Sequence, residues 1–137
     1  MPDEARQQTA SGADAAFRYY LSLIGRQAGV DGGPLRQLSQ DCELCTFFAD
    51  QSDADALEGI SFQGGEITVA ASAPPAVNDL LAEFSATVDQ TAVSATDAQG
   101  QALPDRSEDA VFGVPTSASM TWSTTSQAWI TTSLLFE

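Results

Sequence analysis

The chain changes rhythm near residue 60. Before that point apolar residues recur at helical spacing; after it they alternate with polar ones, as on a strand. Phe17, Tyr20, Leu21, Ile24 and Ala28 follow the i, i+3, i+4, i+7 rule, which predicts an amphipathic helix from Ser11 to Ala28. Ser11, with Asp14 three residues on, is its expected cap. Arg18 and Arg26 lie off the apolar stripe, and Arg26 suits the negative end of the helix dipole. Gly29, Gly32 and Gly33 end this helix, and Pro34 opens a short second one whose Leu35 and Leu38 can pack back on the first. A third helical stretch, capped by Ser39 or Asp41, is expected to reach Gln51 with Leu44, Phe47 and Phe48 as its apolar positions. The acidic stretch Asp50 to Glu58 reads as an exposed turn or a fraying helix end. Met1 to Thr9 is polar and reads as extended, so residues 1–10 are expected to be a flexible segment ahead of a single domain spanning 11–137.

Four strands are expected beyond residue 60. Gly64-Gly65 marks a turn before Glu66 to Ser72, where Ile67 and Val69 share a face, and Pro74-Pro75 ends that strand. Leu80, Ala82, Phe84, Ala86 and Val88 then share one parity against Glu83, Ser85, Thr87 and Asp89, the pattern of a half-buried antiparallel strand. Asp97 to Gly100 reads as a tight turn and Gln101 to Asp109 as a loop. The third strand runs from Ala110 to Ser123, with Ala118, Met120 and Trp122 on one face and a bulge expected at Gly113 and Pro115. Ala128 to Phe136 returns as the fourth, with Ile130, Leu134 and Phe136 on one parity. Helices first and strands afterwards indicate an α+β fold, with N-terminal helices packed on a bent four-stranded antiparallel sheet.

Charge narrows the function. The 137 residues carry a net charge of −14, with five Arg, no Lys and no His. Such a surface repels phosphate backbones, which argues against nucleic-acid binding, and it avoids anionic membrane surfaces. No apolar run approaches the roughly 18 residues of a membrane-spanning helix, and the first residues show no basic stretch followed by an apolar one, as a signal peptide would. Without His, Ser-His-Asp chemistry and His-ligated zinc are unavailable; without Lys, so is a Schiff base. The Ser and Thr residues that dominate Thr116 to Ser133 then read as a solvated sheet face, which favours a monomer.

Cys42-Glu43-Leu44-Cys45 has three readings. A structural disulfide across one helical turn would fit an oxidising compartment. A redox dithiol needs a strand before it and a cationic neighbour; here a Pro-Leu turn precedes it and Asp41 and Glu43 are acidic. Zinc would have only carboxylates to complete its ligand set, so no metal is expected there. The stretch Asp50 to Gly59 has the oxygen ligands of a calcium loop but lacks its central glycine. Phe17, Tyr20, Phe48, Phe84 and Trp122 could line one cavity between helix and sheet, their other reading being core packing.

Several segments, in order, resemble an actinobacterial family of surface lipoproteins of unknown function (DUF6318). They are Met1-Pro2 with Glu4-Ala5, Thr9 and Gly12, Ala16-Phe17-Arg18-Tyr19-Tyr20, Gly33-Pro34-Leu35 with Leu38-Ser39, the Cys42–Cys45 motif, Gly64-Gly65 before a strand, and the pair Trp122 and Trp129. Thr and Ser stand between the two Trp positions where that family has Gly and Asp turn residues. The resemblance implies an NTF2-like or SnoaL-like cone, held at the cell surface by an upstream lipid-modified cysteine and tether. It implies no activity. The resulting expectation is a non-catalytic extracytoplasmic domain, without cofactor, that binds a small ligand or a protein partner. One alternative is an NTF2-like isomerase or hydrolase with a buried carboxylate base, for which Asp14, Glu66, Glu83 and Asp89 are candidates by position. Another is a thiol oxidoreductase using Cys42 and Cys45.

Overall fold

A computed structural model describes residues 1–25 and 31–137. Helix α1 (Ala10–Gly25) buries the predicted stripe of Phe17, Tyr20, Leu21 and Ile24. Its cap is Thr9 rather than Ser11: the Thr9 hydroxyl accepts from the Gly12 amide at 2.9 Å. Asp14 is not a cap either, but pairs with Arg18 one turn on, at 2.9 Å. Arg26, Ala28 and Gly29, assigned above to the end of this helix, lie outside the described residues.

Helix α2 (Gly33–Gln37) starts with Pro34 in its first turn and buries Leu35. Helix α3 (Glu43–Glu58) is capped by Cys42, whose Sγ accepts from the Cys45 amide at 3.2 Å, and not by Ser39 or Asp41. It runs a full two turns beyond the expected end at Gln51, so Asp50 to Glu58 is helical and does not wrap as a calcium loop. It stops at Gly59, which takes the left-handed conformation (φ 70°) that glycine adopts without a Cβ penalty. Arg36 joins the two helices, donating to Asp50 and to Asp53 at 2.6 Å each. The Gly32 amide and then Arg36 hold the Asp53 carboxyl below its ordinary range.

Residues 1–10, read as extended and outside the domain, form a 3-10 turn at Asp3–Arg6. Ala5 is fully buried, and the Trp129 indole Nε1 donates to the Gln7 carbonyl at 2.9 Å. A small residue at position 5 lets this polar segment lie close to the core.

Seven strands follow: β1 (Ser61–Gly64), β2 (Ile67–Ser72), β3 (Ala76–Asn78), β4 (Leu81–Gln90), β5 (Val93–Thr96), β6 (Val111–Ser123) and β7 (Ala128–Phe136). The main sheet is antiparallel in the order β2, β4, β6, β7, with β3 pairing beside β2 on the same edge of β4. The expected four-strand sheet is thus present, its first position broken in two by Pro74-Pro75, which cannot donate to a ladder. An unpredicted two-stranded annex, β1 with β5, stands apart from it.

Bulges bend the sheet. Val88 faces Val114 while Gln90 faces Val111, so β6 carries one extra residue around Gly113 (φ 64°), whose amide donates to Asp89 at 2.8 Å. A second bulge inserts Thr132 into β7: Ser119 faces Ser133, but Met120 faces Thr131. This slip overturns the predicted parity of β7. Trp129 and Thr131 point inward ahead of it, Leu134 is buried beyond it, and Ile130 moves to the opposite side.

The helices cover the concave face, and the main core lies between α1 and the sheet. Phe17 stacks on Phe84 with centroids 4.6 Å apart, and Trp122 meets Trp129 edge-on at 5.5 Å. A smaller cluster of Ile60, Phe62 and Ala95 fills the annex.

Candidate functional site

Where the sheet flares, α1, α3 and four strands converge on an apolar chamber of about 200 Å³. Its wall is Ile24 from α1, Phe48 from α3, Ile67 from β2, Val88 and Gln90 from β4, Val111 and Val114 from β6, and Phe136 from β7. The bulge at Gly113 turns the start of β6 so that both of its valines reach the opening. Among the described residues Gln90 supplies the one polar side chain of the wall, and its amide is fixed by a 3.1 Å hydrogen bond to the Gly65 carbonyl.

Phe48 and Gln90 also line an outer, polar antechamber of about 340 Å³, completed by Gln51, Phe62, Val93, Asp105, Arg106 and Glu108. Arg106 organises this part. It donates to the buried Asp55 at 2.7 Å, and its guanidinium carbon lies 5.5 Å from the centroid of the Phe62 ring. The hydrogen bond to Asp55 holds the Arg106 pKa above its ordinary value, so the guanidinium stays charged. A pocket for a drug-sized ligand spans roughly 300–1,000 Å³. The inner chamber is smaller than that, and it shares Phe48 and Gln90 with the polar compartment beside it.

Of the five aromatic residues expected to form a pocket wall, Phe48 lines both chambers. Phe17, Tyr20, Phe84 and Trp122 come together as expected, but pack in the main core and line none of the described cavities. Tyr20 is nearly fully buried and its hydroxyl makes no hydrogen bond among the described residues. The neighbouring Ser39 hydroxyl donates instead to the Leu35 carbonyl at 2.7 Å. Burial pushes the Tyr20 phenol up to about 12, while Ser39 nearby acts to lower it.

Cys42 and Cys45 form a disulfide at the start of α3. Both residues are buried, and Cys42 also borders the surface groove between α3 and β7. The four candidate carboxylates line neither chamber. Glu66 and Glu83 are exposed, Asp14 is paired with Arg18, and Asp89 accepts the Gly113 amide.

Seven of the eight inner-wall residues were missed as site residues. Ile67, Val88 and Phe136 were assigned to inward strand faces, and the predicted bulge at Gly113 was the local signal that the sheet opens there. Ile24 lies on the predicted apolar stripe of α1, Gln90 and Val111 come from the ends of strands, where sequence periodicity carries little information, and Val114 follows the bulge.

No protein-family model matches the chain, and no curated protein matches it. Among solved structures it is similar to a designed NTF2-like protein, at a TM-score of 0.55 over 94% of this chain and 100% of the other, with 11% identity. The likeness establishes the fold: an α+β NTF2-like cone, with helices packed on an antiparallel sheet.

Proposed function

We propose that this domain is a non-catalytic binding module for a small amphipathic molecule, working outside the cytoplasm at the cell surface on an upstream lipid anchor. The observation that carries the binding reading is the two-part cavity. Seven apolar side chains and one fixed amide form its inner wall, and a charged guanidinium stands at its outer rim. An apolar end of the ligand would displace water from the inner chamber, while its polar end remained among Gln51, Gln90 and Arg106. Among the described residues no carboxylate lines the inner wall, which favours binding over proton abstraction, because a general base must reach the proton it removes. The Cys42–Cys45 bridge supports an oxidising compartment, and the acidic Asp41 and Glu43 beside it weigh against the thiol oxidoreductase reading. The sequence resemblance supports the anchor.

The test uses a neutral fluorescent probe, 1-aminoanthracene, chosen because an anionic dye would be repelled by the −14 chain. The natural chain should bind it saturably with a blue-shifted emission. Val114→Phe, which places extra volume in the inner chamber, should abolish the saturable signal while leaving the unfolding transition cooperative. Equal probe binding by the two proteins would overturn the proposal.

A further inference from the structure

The geometry points to a second binding site at the free edge of β7, which takes an extended peptide with basic residues flanking an apolar one. Strand β7 is the last in the main sheet. Its first half is already covered by a short stretch of this chain. Leu38 accepts from the Thr131 amide at 2.8 Å and Gln40 donates to the Thr131 carbonyl at 2.9 Å, in the manner of a parallel strand. That cover ends at Asp41, whose backbone turns left-handed (φ 51°) and leads into α3.

Beyond Thr131, no described residue pairs with this side of β7. The Glu137 amide donates inward to Pro115 at 2.9 Å, so alternation directs the main-chain groups of Phe136 and Leu134 outward. The open edge borders a groove of about 640 Å³ between β7 and the first turn of α3. Phe47 (57% exposed) and Leu135 (50% exposed) give the groove an apolar surface, and Asp41 and Glu43 stand along it.

These features together fit strand addition. The unpaired edge supplies main-chain hydrogen bonds, the groove accepts an apolar side chain, and the two carboxylates select a cationic neighbour. A second copy of this chain is a poor occupant, because edge-to-edge pairing would set Asp41 and Glu43 against their own counterparts. The aminoanthracene cavity shares no lining residue with this groove, and Leu134, which lines the groove and not the cavity, gives a readout by which the two sites fail independently.

The experiment titrates the full chain with the capped peptide Lys-Val-Thr-Val-Lys, read by amide NMR. Saturable shifts and slowed amide exchange at Leu134 and Phe136 are expected. Methylating the central peptide nitrogen should abolish binding, and Glu-Val-Thr-Val-Glu should not bind. Asp41→Asn with Glu43→Lys, both exposed changes, should weaken the Lys peptide about fivefold, as two surface charge pairs allow. The inference is overturned by undiminished binding of the methylated peptide, by equal binding of the acidic one, by shifts confined to other surfaces, or by self-association through this edge.

Discussion

The two apolar clusters are held together by different physics. In the main core, Phe17 lies on Phe84 and Trp122 against Trp129, with α1 closing the sheet from above. Interior packing at crystal-like density stabilises such a core, and each large side chain shares the effect with many neighbours. The annex has three buried residues, Ile60, Phe62 and Ala95, and cannot hold itself in this way. Besides the backbone bonds that join Val93 to Glu108 and Ala95 to Leu103, it is fastened by the ion pair of Arg106 with the buried Asp55 and by the cation's contact with Phe62. Packing therefore sets the inner chamber, whereas the antechamber depends on backbone bonds and on the charge of Arg106.

The largest expected effect comes from the core. Trp129→Ala removes a buried indole and its bond to Gln7, and should cost about 4 kcal/mol in urea unfolding. A cost under about 1 kcal/mol would mean that packing does not hold this end. Arg106→Ala should cost less, about 2 kcal/mol, mainly by leaving Asp55 buried without its partner. The loss should be local, with amide exchange accelerating in β1 and β5 and unchanged in β4 and β6. Uniform acceleration across both sheets would erase the distinction between the clusters. Asp55→Leu combined with Arg106→Met should recover most of the loss.

The smallest effect has the opposite sign. Tyr20→Phe deletes a buried hydroxyl that makes no bond among the described residues, and should stabilise by about 1 kcal/mol. It should also alter the alkaline limb. The folded phenol is raised to about 12 from 10.0, so its contribution is full below pH 10 and is lost as pH rises towards about 12. A stability profile from pH 9 to 12 should fall more steeply for the natural chain than for the variant.

Much of the architecture was legible because it depends on one-sided burial. The stripe on α1 and the alternation on β4 and β6 each leave an apolar face that requires a partner, and those elements appear where expected. The second half of α3 was not legible. Its inward positions are Ser52 and Asp55, which continue the line of Cys45 and Ala49 and are too small or too polar to register as a stripe. Asp55 belongs inside because Arg106 reaches it from 51 residues away, a pairing that no local window contains. β7 was placed correctly but read through its bulge, so the face of Ile130 was assigned to the wrong side. Strands β1 and β5 were missed because four-residue strands with one or two apolar positions give no period. The cavity was least visible of all, since its wall is assembled from six elements spread along the chain.

The Trp129–Gln7 bond fixes more than the first ten residues. It holds the start of the chain at the β6–β7 hairpin, while α1 runs about 24 Å to Gly25, which abuts Gly65 and Ile67 beside the chamber. The two ends of α1 thus sit at opposite poles of the domain, one latched to a hairpin by an indole and the other set beside a hollow.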